Sequence, residues 1–288
     1  MNRRIPRDEV LRRLRAEIAQ GRQIVGSGAG SGLVARIADR SGVDLLVVYA
    51  SGKFRQDGLP SIMGALPVAN ANDVMLQLGR ERIFPVVRDT PVIGGVYAQD
   101  ITRDMDDLLD EMAATGYSGV INFPTVGRID GNYRKDLEAL GLGIGREYAM
   151  ITAARERGLA ALAYVYTPQE AAEMVRAGAD VVVGHAGVTG GGEVGITQER
   201  TTPLDEVARV FCAVFDAARE VRDDIILLSH GGPIIEPADA AYVAARTGAH
   251  GFVGASSTER IPIERALTAV YTAFKQPAAD NGEEGSQA

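Results

Sequence analysis

Arg157-Gly158-Leu159-Ala160-Ala161-Leu162-Ala163-Tyr164-Val165 and Ala177-Gly178-Ala179-Asp180-Val181-Val182-Val183 repeat one phrase: a helix end, a glycine, an apolar strand. Gly248 ahead of Gly251-Phe252-Val253 is a third copy. Glycine at each junction fits a left-handed helix stop, since it alone carries positive φ without a Cβ clash. The runs that follow are apolar at every position rather than at alternate ones, as in parallel strands covered on both faces. The phrase recurs about eight times along the chain, which predicts an α/β fold of the (β/α)8 TIM-barrel type. An open doubly wound sheet is the alternative, but it needs a reversal of strand order, and the even spacing favours the barrel. The 288 residues suit one barrel of roughly 250 residues with extended loops.

Working outward, Val10, Leu11, Leu14 and Ile18 have helical spacing and predict a helix capping the bottom of the barrel. The barrel is expected over residues 5–275, and the small polar tail 276–288 is expected to be disordered. Strand ends fall near Ser27, Tyr49, Tyr97, Asn122, Tyr166, His185, His230 and Gly254. Long loops are expected at 51–71 and 124–145, and loops of that length in compact domains usually serve function. Thr167-Pro168-Gln169-Glu170 combines a capping box with proline at the first helical position, a strong helix start.

A hydrophobic content of 46% allows a large core. The net charge of −8 argues against a nucleic-acid surface, which needs a basic stripe. It leaves room for a local anion site built from backbone amides. No apolar run reaches the ~20 residues of a membrane span, and no signal-peptide pattern is seen at the N-terminus. Cys212 is the one cysteine and lies beside the apolar stripe Val207, Val210, Phe211, Val214 and Phe215, so no internal disulfide forms and a packing role is expected over that of a nucleophile. A cytoplasmic protein is expected, and a homo-oligomer, because barrels often associate through their outer helices.

Chemistry in this fold sits at the C-terminal strand ends. His185 and His230 fall there, whereas His250 precedes the last strand and belongs to the opposite face. A histidine at a strand end can carry a proton or a metal near neutral pH; the bland alternative is a buried imidazole bonded to a carbonyl. Gly231 and Gly232 after strand seven, with Gly254, Ser256 and Ser257 after strand eight, match an anion site of loop amides and hydroxyls. Simple turn chemistry would need the same glycines. Gly26-Ser27-Gly28-Ala29-Gly30-Ser31-Gly32 lacks the spacing of a dinucleotide fingerprint, and Gly52-Lys53-Phe54 fails as a Walker loop. Ser27 and Gly28 are expected instead to form a flexible floor near a ligand. Lysine occurs only at 53, 135 and 275, none at a strand end, which argues against a Schiff-base aldolase. Lys53 and Arg55 either fold over an anionic substrate or are simply solvated. Asp100, Glu147 and Glu193 are the candidate ligands for Mg2+ or another divalent metal, although Glu147 is also well placed to start a helix.

Several longer motifs resemble the phosphoenolpyruvate hydrolase-like TIM-barrel family. They are Gly28-Ala29-Gly30-Ser31-Gly32-Leu33, Tyr49-Ala50-Ser51-Gly52-Lys53-Phe54-Arg55 and Asn122-Phe123-Pro124-Thr125-Val126-Gly127. To these are added His185-Ala186-Gly187-Val188-Thr189, His230-Gly231-Gly232-Pro233-Ile234 and Gly254-Ala255-Ser256-Ser257-Thr258-Glu259-Arg260. The family takes in the C-terminal domain of plant Tm-1 proteins. The resemblance implies a barrel of the phosphoenolpyruvate/pyruvate superfamily and hydrolysis of phosphoenolpyruvate. Superfamily members hold Mg2+ through acidic strand ends, whereas strands two to four close here on Tyr49, Tyr97 and Asn122. The leading expectation is an enzyme acting on a small anionic carbonyl or enol acid. His185 and His230 would move protons, and Tyr49, Tyr97 or Asn122 would orient the reacting oxygen. Ser27, Gly28, Tyr49, Ser51, Gly231, Gly232, Gly254, Ser256 and Ser257 would bind the anion. Carbon–carbon cleavage of a keto acid through an enolate is the second expectation, and a non-catalytic ligand-sensing or assembly module the third.

Overall fold

The computed structural model describes residues 4–276. Eight parallel strands close into one barrel in chain order: β1 (Ile24–Gly28), β2 (Leu45–Val48), β3 (Val92–Val96), β4 (Gly119–Asn122), β5 (Ala160–Val165), β6 (Val181–His185), β7 (Ile226–His230) and β8 (Gly251–Gly254). β8 pairs with β1 to complete the ring. The expected tail lies outside the described residues except for Gln276.

Apolar strands with alternating side-chain direction give two concentric cores. Inward residues such as Leu45, Ile93, Leu162, Val183 and Leu228 fill the barrel. Outward residues such as Leu46, Val48, Val182 and Leu227 pack beneath the helices. Those helices are α2 (Gly32–Arg40), α3 (Ala50–Gln56), α4 (Ala71–Leu78), α5 (Met105–Thr115), α6 (Gly131–Ala139), α7 (Gly145–Glu156), α8 (Pro168–Ala177), α9 (Leu204–Val221), α10 (Pro237–Thr247) and α11 (Ile261–Lys275). The glycine stops take the expected conformation: φ is 64° at Gly158, 104° at Gly178 and 68° at Gly248.

α1 (Arg7–Ala19) closes the bottom. Its Val10, Leu11 and Leu14 join the inward core. Arg7 fixes the helix by donating from Nε (2.9 Å) and Nη2 (2.6 Å) to the two carboxylate oxygens of Asp180, at the start of β6. Asp180 also accepts the Ala161 N–H at 3.0 Å. His250 lies at this end too, its Nδ1 accepting the Leu227 N–H. Cys212 is half-buried on α9 and donates to the Arg246 carbonyl.

The 51–71 segment departs from the expected loop. α3 starts directly after Tyr49, and a 3-10 turn at Ser61–Ala65 leads toward α4. α3 is seven residues long and carries a glycine near its start, too short and too weak a pattern to be legible as a helix.

Asp180→Ala removes the buried half of the α1 clamp and strands three donors, Arg7 Nε and Nη2 and the Ala161 N–H. It is expected to lower unfolding stability by about 3 kcal/mol. Asp8→Ala, at an exposed partner of the same arginine, should cost less than about 0.5 kcal/mol. Urea unfolding of the two variants checks the contrast.

Candidate active site

The register of β6 on β7 pairs His185 with His230. Residues in register on adjacent strands share a face, so the two rings lie side by side at the mouth, centroids 4.5 Å apart. Tyr164, from β5, packs against both rings at 5.0 and 4.9 Å, and Tyr166 packs on His185 at 4.9 Å. Both histidines are buried.

Their outer hydrogen bonds differ in sense. His230 Nδ1 lies 2.6 Å from the Val253 carbonyl oxygen, which can only accept, so Nδ1 carries the proton and Nε2 the lone pair. His185 Nδ1 accepts the Gly187 N–H at 2.9 Å, so its proton resides on Nε2. One imidazole thus offers an acceptor and its neighbour a donor. Burial drives His230 down to about 4, although the Val253 bond favours the charged form. His185 falls well below its ordinary value, through burial first and then the adjacent His230 and Arg128. Both rings are neutral at physiological pH. The Tyr164 hydroxyl is buried beside that of Tyr49, and burial, with Tyr49 adding to it, raises its pKa far enough to keep its proton.

These groups line a cavity of about 40 Å3 together with Tyr49, Ser51, Arg55, Phe123, Arg128 and Ser256. That is room for about one water. The Ser61–Ala65 turn forms its roof: Ile62 and Ala65 line the cavity, and Ser51 Oγ donates to the Ser61 carbonyl at 2.6 Å. A 560 Å3 groove on the far side shares Ile62, Ala65, Phe123 and Arg128 and extends to Tyr97, Asp100 and Tyr133.

Two arginines supply positive charge. Arg55 is buried and paired with Glu259; its Nε donates to Oε2 at 2.8 Å. Glu259 Oε1 also accepts the Gly30 N–H and Gln56 Nε2, joining the loops after β1, β2 and β8. Arg128 differs: it is exposed and makes no side-chain hydrogen bond or ion pair among the described residues, yet it helps lower both histidines.

The expected site residues divide into several places. His185, His230, Tyr49, Ser51 and Ser256 meet at the cavity. Tyr97 lines the outer groove. Asn122 is spent on architecture, donating to Glu147 Oε2 (2.6 Å) and the Tyr164 carbonyl (3.1 Å) while accepting the Tyr164 N–H (2.6 Å). Gly28 is no open floor, because a Cβ there would come within 3.0 Å of Arg55 Nη2 and 3.1 Å of Glu259 Oε2. The glycine run lets the buried ion pair close on the backbone, and Ser27 Oγ bonds Thr258 Oγ1 at 3.0 Å. Gly231 and Gly232 have φ of 76° and 58°, and Gly232 spends its N–H on the Gly187 carbonyl, fastening the two loops together. Gly254 packs on Thr258, and Ser257 faces an outer groove rather than the mouth. Lys53 pairs with Asp57 on the surface of α3. Arg128 and Tyr164 were not among the expected site residues. The period-two pattern Ala160, Leu162, Tyr164 points Tyr164 inward and could have found it, whereas the loop carrying Arg128 gives no such signal.

The candidate metal ligands do not converge. Glu147 is sealed at the start of α7, accepting from Asn122, Thr125, Val126 and Gln99; burial pushes it up to about 7 against those four bonds. Burial works to raise Asp100 too, yet bonds from Thr102, Asn70 and Asn72 hold it at about 2. Glu193 is exposed on the loop after β6. Among the described residues no group of three or more His, Cys, Asp or Glu side chains is arranged to hold a metal ion. Imidazoles, phenols and guanidinium groups around the cavity do not fit a hard cation such as Mg2+, which takes oxygen ligands. No helix among the described residues is long and apolar enough to cross a membrane.

A closed parallel barrel with paired imidazoles at its mouth places the protein among the (β/α)8 folds. The chain belongs to the phosphoenolpyruvate hydrolase-like family, whose model matches residues 9–276. It is 44% identical over 270 residues to the ToMV resistance protein Tm-1(GCR237) of Solanum lycopersicum, covering 93% of this chain and 35% of that protein. The chain therefore spans about a third of that relative's length. Phosphonopyruvate hydrolase, solved with oxalate and Mg2+, shares the fold with a TM-score of 0.57 at 18% identity, over 94% of this chain and 86% of that one. Oxaloacetate acetylhydrolase, solved with its product oxalate, does so with a TM-score of 0.57 at 16% identity, over 98% and 90%.

The depressed histidines make stability pH-dependent. The unfolded chain binds a proton near pH 6.5, while folded His230 refuses it until about pH 4. Within that window the unfolded state holds more protons, so stability falls as pH is lowered from about 6.5 to about 4 and is fully retained above it. Urea midpoints measured across this range should fall less steeply for His230→Asn than for the native chain.

Proposed function

We propose that this protein is an enzyme that hydrolyses a small anionic enol or carbonyl acid, releasing an enolate that is protonated to a product acid. The observation that carries this reading is the pair of neutral imidazoles of opposite tautomer, lining one cavity with Arg128, which makes no side-chain hydrogen bond or ion pair among the described residues. Arg128 supplies the counter-charge for a carboxylate or phosphoryl group. His230 Nε2, with its lone pair, takes a proton from water. His185 Nε2–H and the Tyr164 hydroxyl donate to the oxygen on which negative charge develops.

With phosphoenolpyruvate, the substrate named in the family description, water oxygen attacks phosphorus and the phosphorus–enol oxygen bond breaks. Its electron pair leaves on the enolate. The proton held by His230 then reaches the enolate carbon, giving pyruvate and phosphate. A cavity of about 40 Å3 admits only the water, so binding requires the Ser61–Ala65 roof to lift toward the wider groove.

Hydrolysis of a carbon–carbon bond in a 3-keto acid is the second reading. The neutral donors around the cavity favour it, since they match an oxyanion on carbon without a metal-binding carboxylate set. The fold shared with oxaloacetate acetylhydrolase supports the choice of oxaloacetate as its probe. Here water adds to the carbonyl carbon, the adjacent carbon–carbon bond breaks, and the carbanion leaves as an enolate.

Phosphate release from phosphoenolpyruvate and oxalate release from oxaloacetate, each with chelator and with added Mg2+, test the two. Turnover of one substrate is expected, with kcat/KM rising through an acid limb near pH 4 as His230 loses its proton. His230→Gln should lower kcat by about 10²–10⁴-fold, and Arg128→Ala should act mainly on KM. Ligand binding without turnover of either substrate, or full activity in His230→Gln, would contradict the proposal.

A further inference from the structure

The groove beside the histidine cavity has a volume of about 560 Å3. That lies within the roughly 300–1,000 Å3 of pockets that enclose a ligand with a ring or a chain. An acid as small as phosphoenolpyruvate or oxaloacetate would leave most of it empty. Cavity and groove meet at Ile62, Ala65, Phe123 and Arg128, which line both. A carboxylate held by Arg128 therefore has the histidines on one side and the groove on the other.

The groove is walled by apolar side chains that the fold leaves uncovered. Ile62 and Leu66, from the segment between α3 and α4, are 43 and 47% exposed. Tyr133, on α6, lines it at 66% exposed, and Ile129 precedes it in the same loop. α6 buries none of its described residues. It is tied down by Arg134, whose Nη1 donates to the Val126 carbonyl at 2.8 Å. Tyr133 is thus held at the groove rather than packed in the core. Tyr97 and Phe123 add two more rings.

Polar side chains in the same wall are already committed. Thr125 Oγ1 donates to Glu147 and accepts the Gly127 N–H. Asn70 caps α4 through Oδ1 and donates from Nδ2 to Asp100. Asp100 also accepts from Asn72 and Thr102. A concave apolar surface with one cation at its inner end suits a ligand that is charged at one end and apolar at the other.

On the reading of the cavity as a site for an anionic enol or carbonyl acid, on which this depends, we propose that the acid carries an apolar tail the size of an aromatic ring. The tail lies between Leu66 and Tyr133 while Arg128 holds the acid group. A smaller groove of about 410 Å3, with Val210 and Phe211, borders Arg128 and His185 on another side. It does not touch the Ser61–Ala65 roof that must lift to admit the acid, so the tail is assigned to the larger groove.

Ligand-observed NMR titration of the full chain with pyruvate and with 2-oxo-4-phenylbutanoate tests this. The tailed acid is expected to bind at least ~10-fold more tightly, as burial of one ring provides. Leu66→Ser/Tyr133→Ser, at two exposed positions, should bring the two acids to within about threefold of each other. Val210→Ser should keep the preference, and Arg128→Ala should weaken both acids by a similar factor. Equal affinities in the native chain, a preference that survives Leu66→Ser/Tyr133→Ser or is lost in Val210→Ser, or binding indifferent to Arg128→Ala would each overturn the tail's place in the groove. Hydrolysis of phosphoenolpyruvate or oxaloacetate alongside equal affinities would remove the tail and leave the catalytic reading intact. A clear preference for the tailed acid with neither substrate hydrolysed would support the groove and contradict the reaction.

Discussion

The register between β6 and β7 is the constraint on which the site rests. It sets His185 directly beside His230, and a slip of one residue would turn an imidazole out of the barrel mouth. Once adjacent, the rings are given opposite roles by the backbone. A carbonyl of β8 fixes the proton on one side of His230, and an N–H of the following loop fixes the lone pair of His185. Burial keeps both neutral, so the pair offers a donor and an acceptor without the repulsion of two charges.

Around that pair, most polar residues of the rim serve as scaffold. Glu259, after β8, gathers Gly30 from the loop after β1 and Arg55 and Gln56 from α3 after β2. Glu147 gathers Asn122, Thr125, Val126 and Gln99 from the β3 and β4 side. Buried carboxylates are tolerated because several donors meet each one, and removing a partner would strand a charge. The consequence is a mouth whose architecture is fixed, with the two Nε2 atoms and the Arg128 guanidinium making no side-chain hydrogen bond among the described residues. Positive guanidinium charge and neutral donors suit an anion that gains negative charge during reaction.

The barrel was legible because its evidence is local. Gly158, Gly178 and Gly248 need left-handed backbone, and the strands after them need two apolar faces. His185 and His230 were legible for the same reason, since strand ends locate chemistry in this fold. Partnership was not legible. Asn122 and Glu147 each read as site residues at the open end, yet they bond to one another. Ser256 and Ser257 are adjacent in sequence but face the cavity and the outer groove respectively. Arg128 depends on the path of a loop, and the roof at Ser61–Ala65 on how α3 docks.

Nitrogen-resolved NMR of histidine-labelled protein at neutral pH measures the central claim directly, since it reports which ring nitrogen carries each proton. The account predicts a protonated Nδ1 in His230, a protonated Nε2 in His185, and no imidazolium in either. Identical tautomers in the two rings, or a positive charge on one of them, would contradict it.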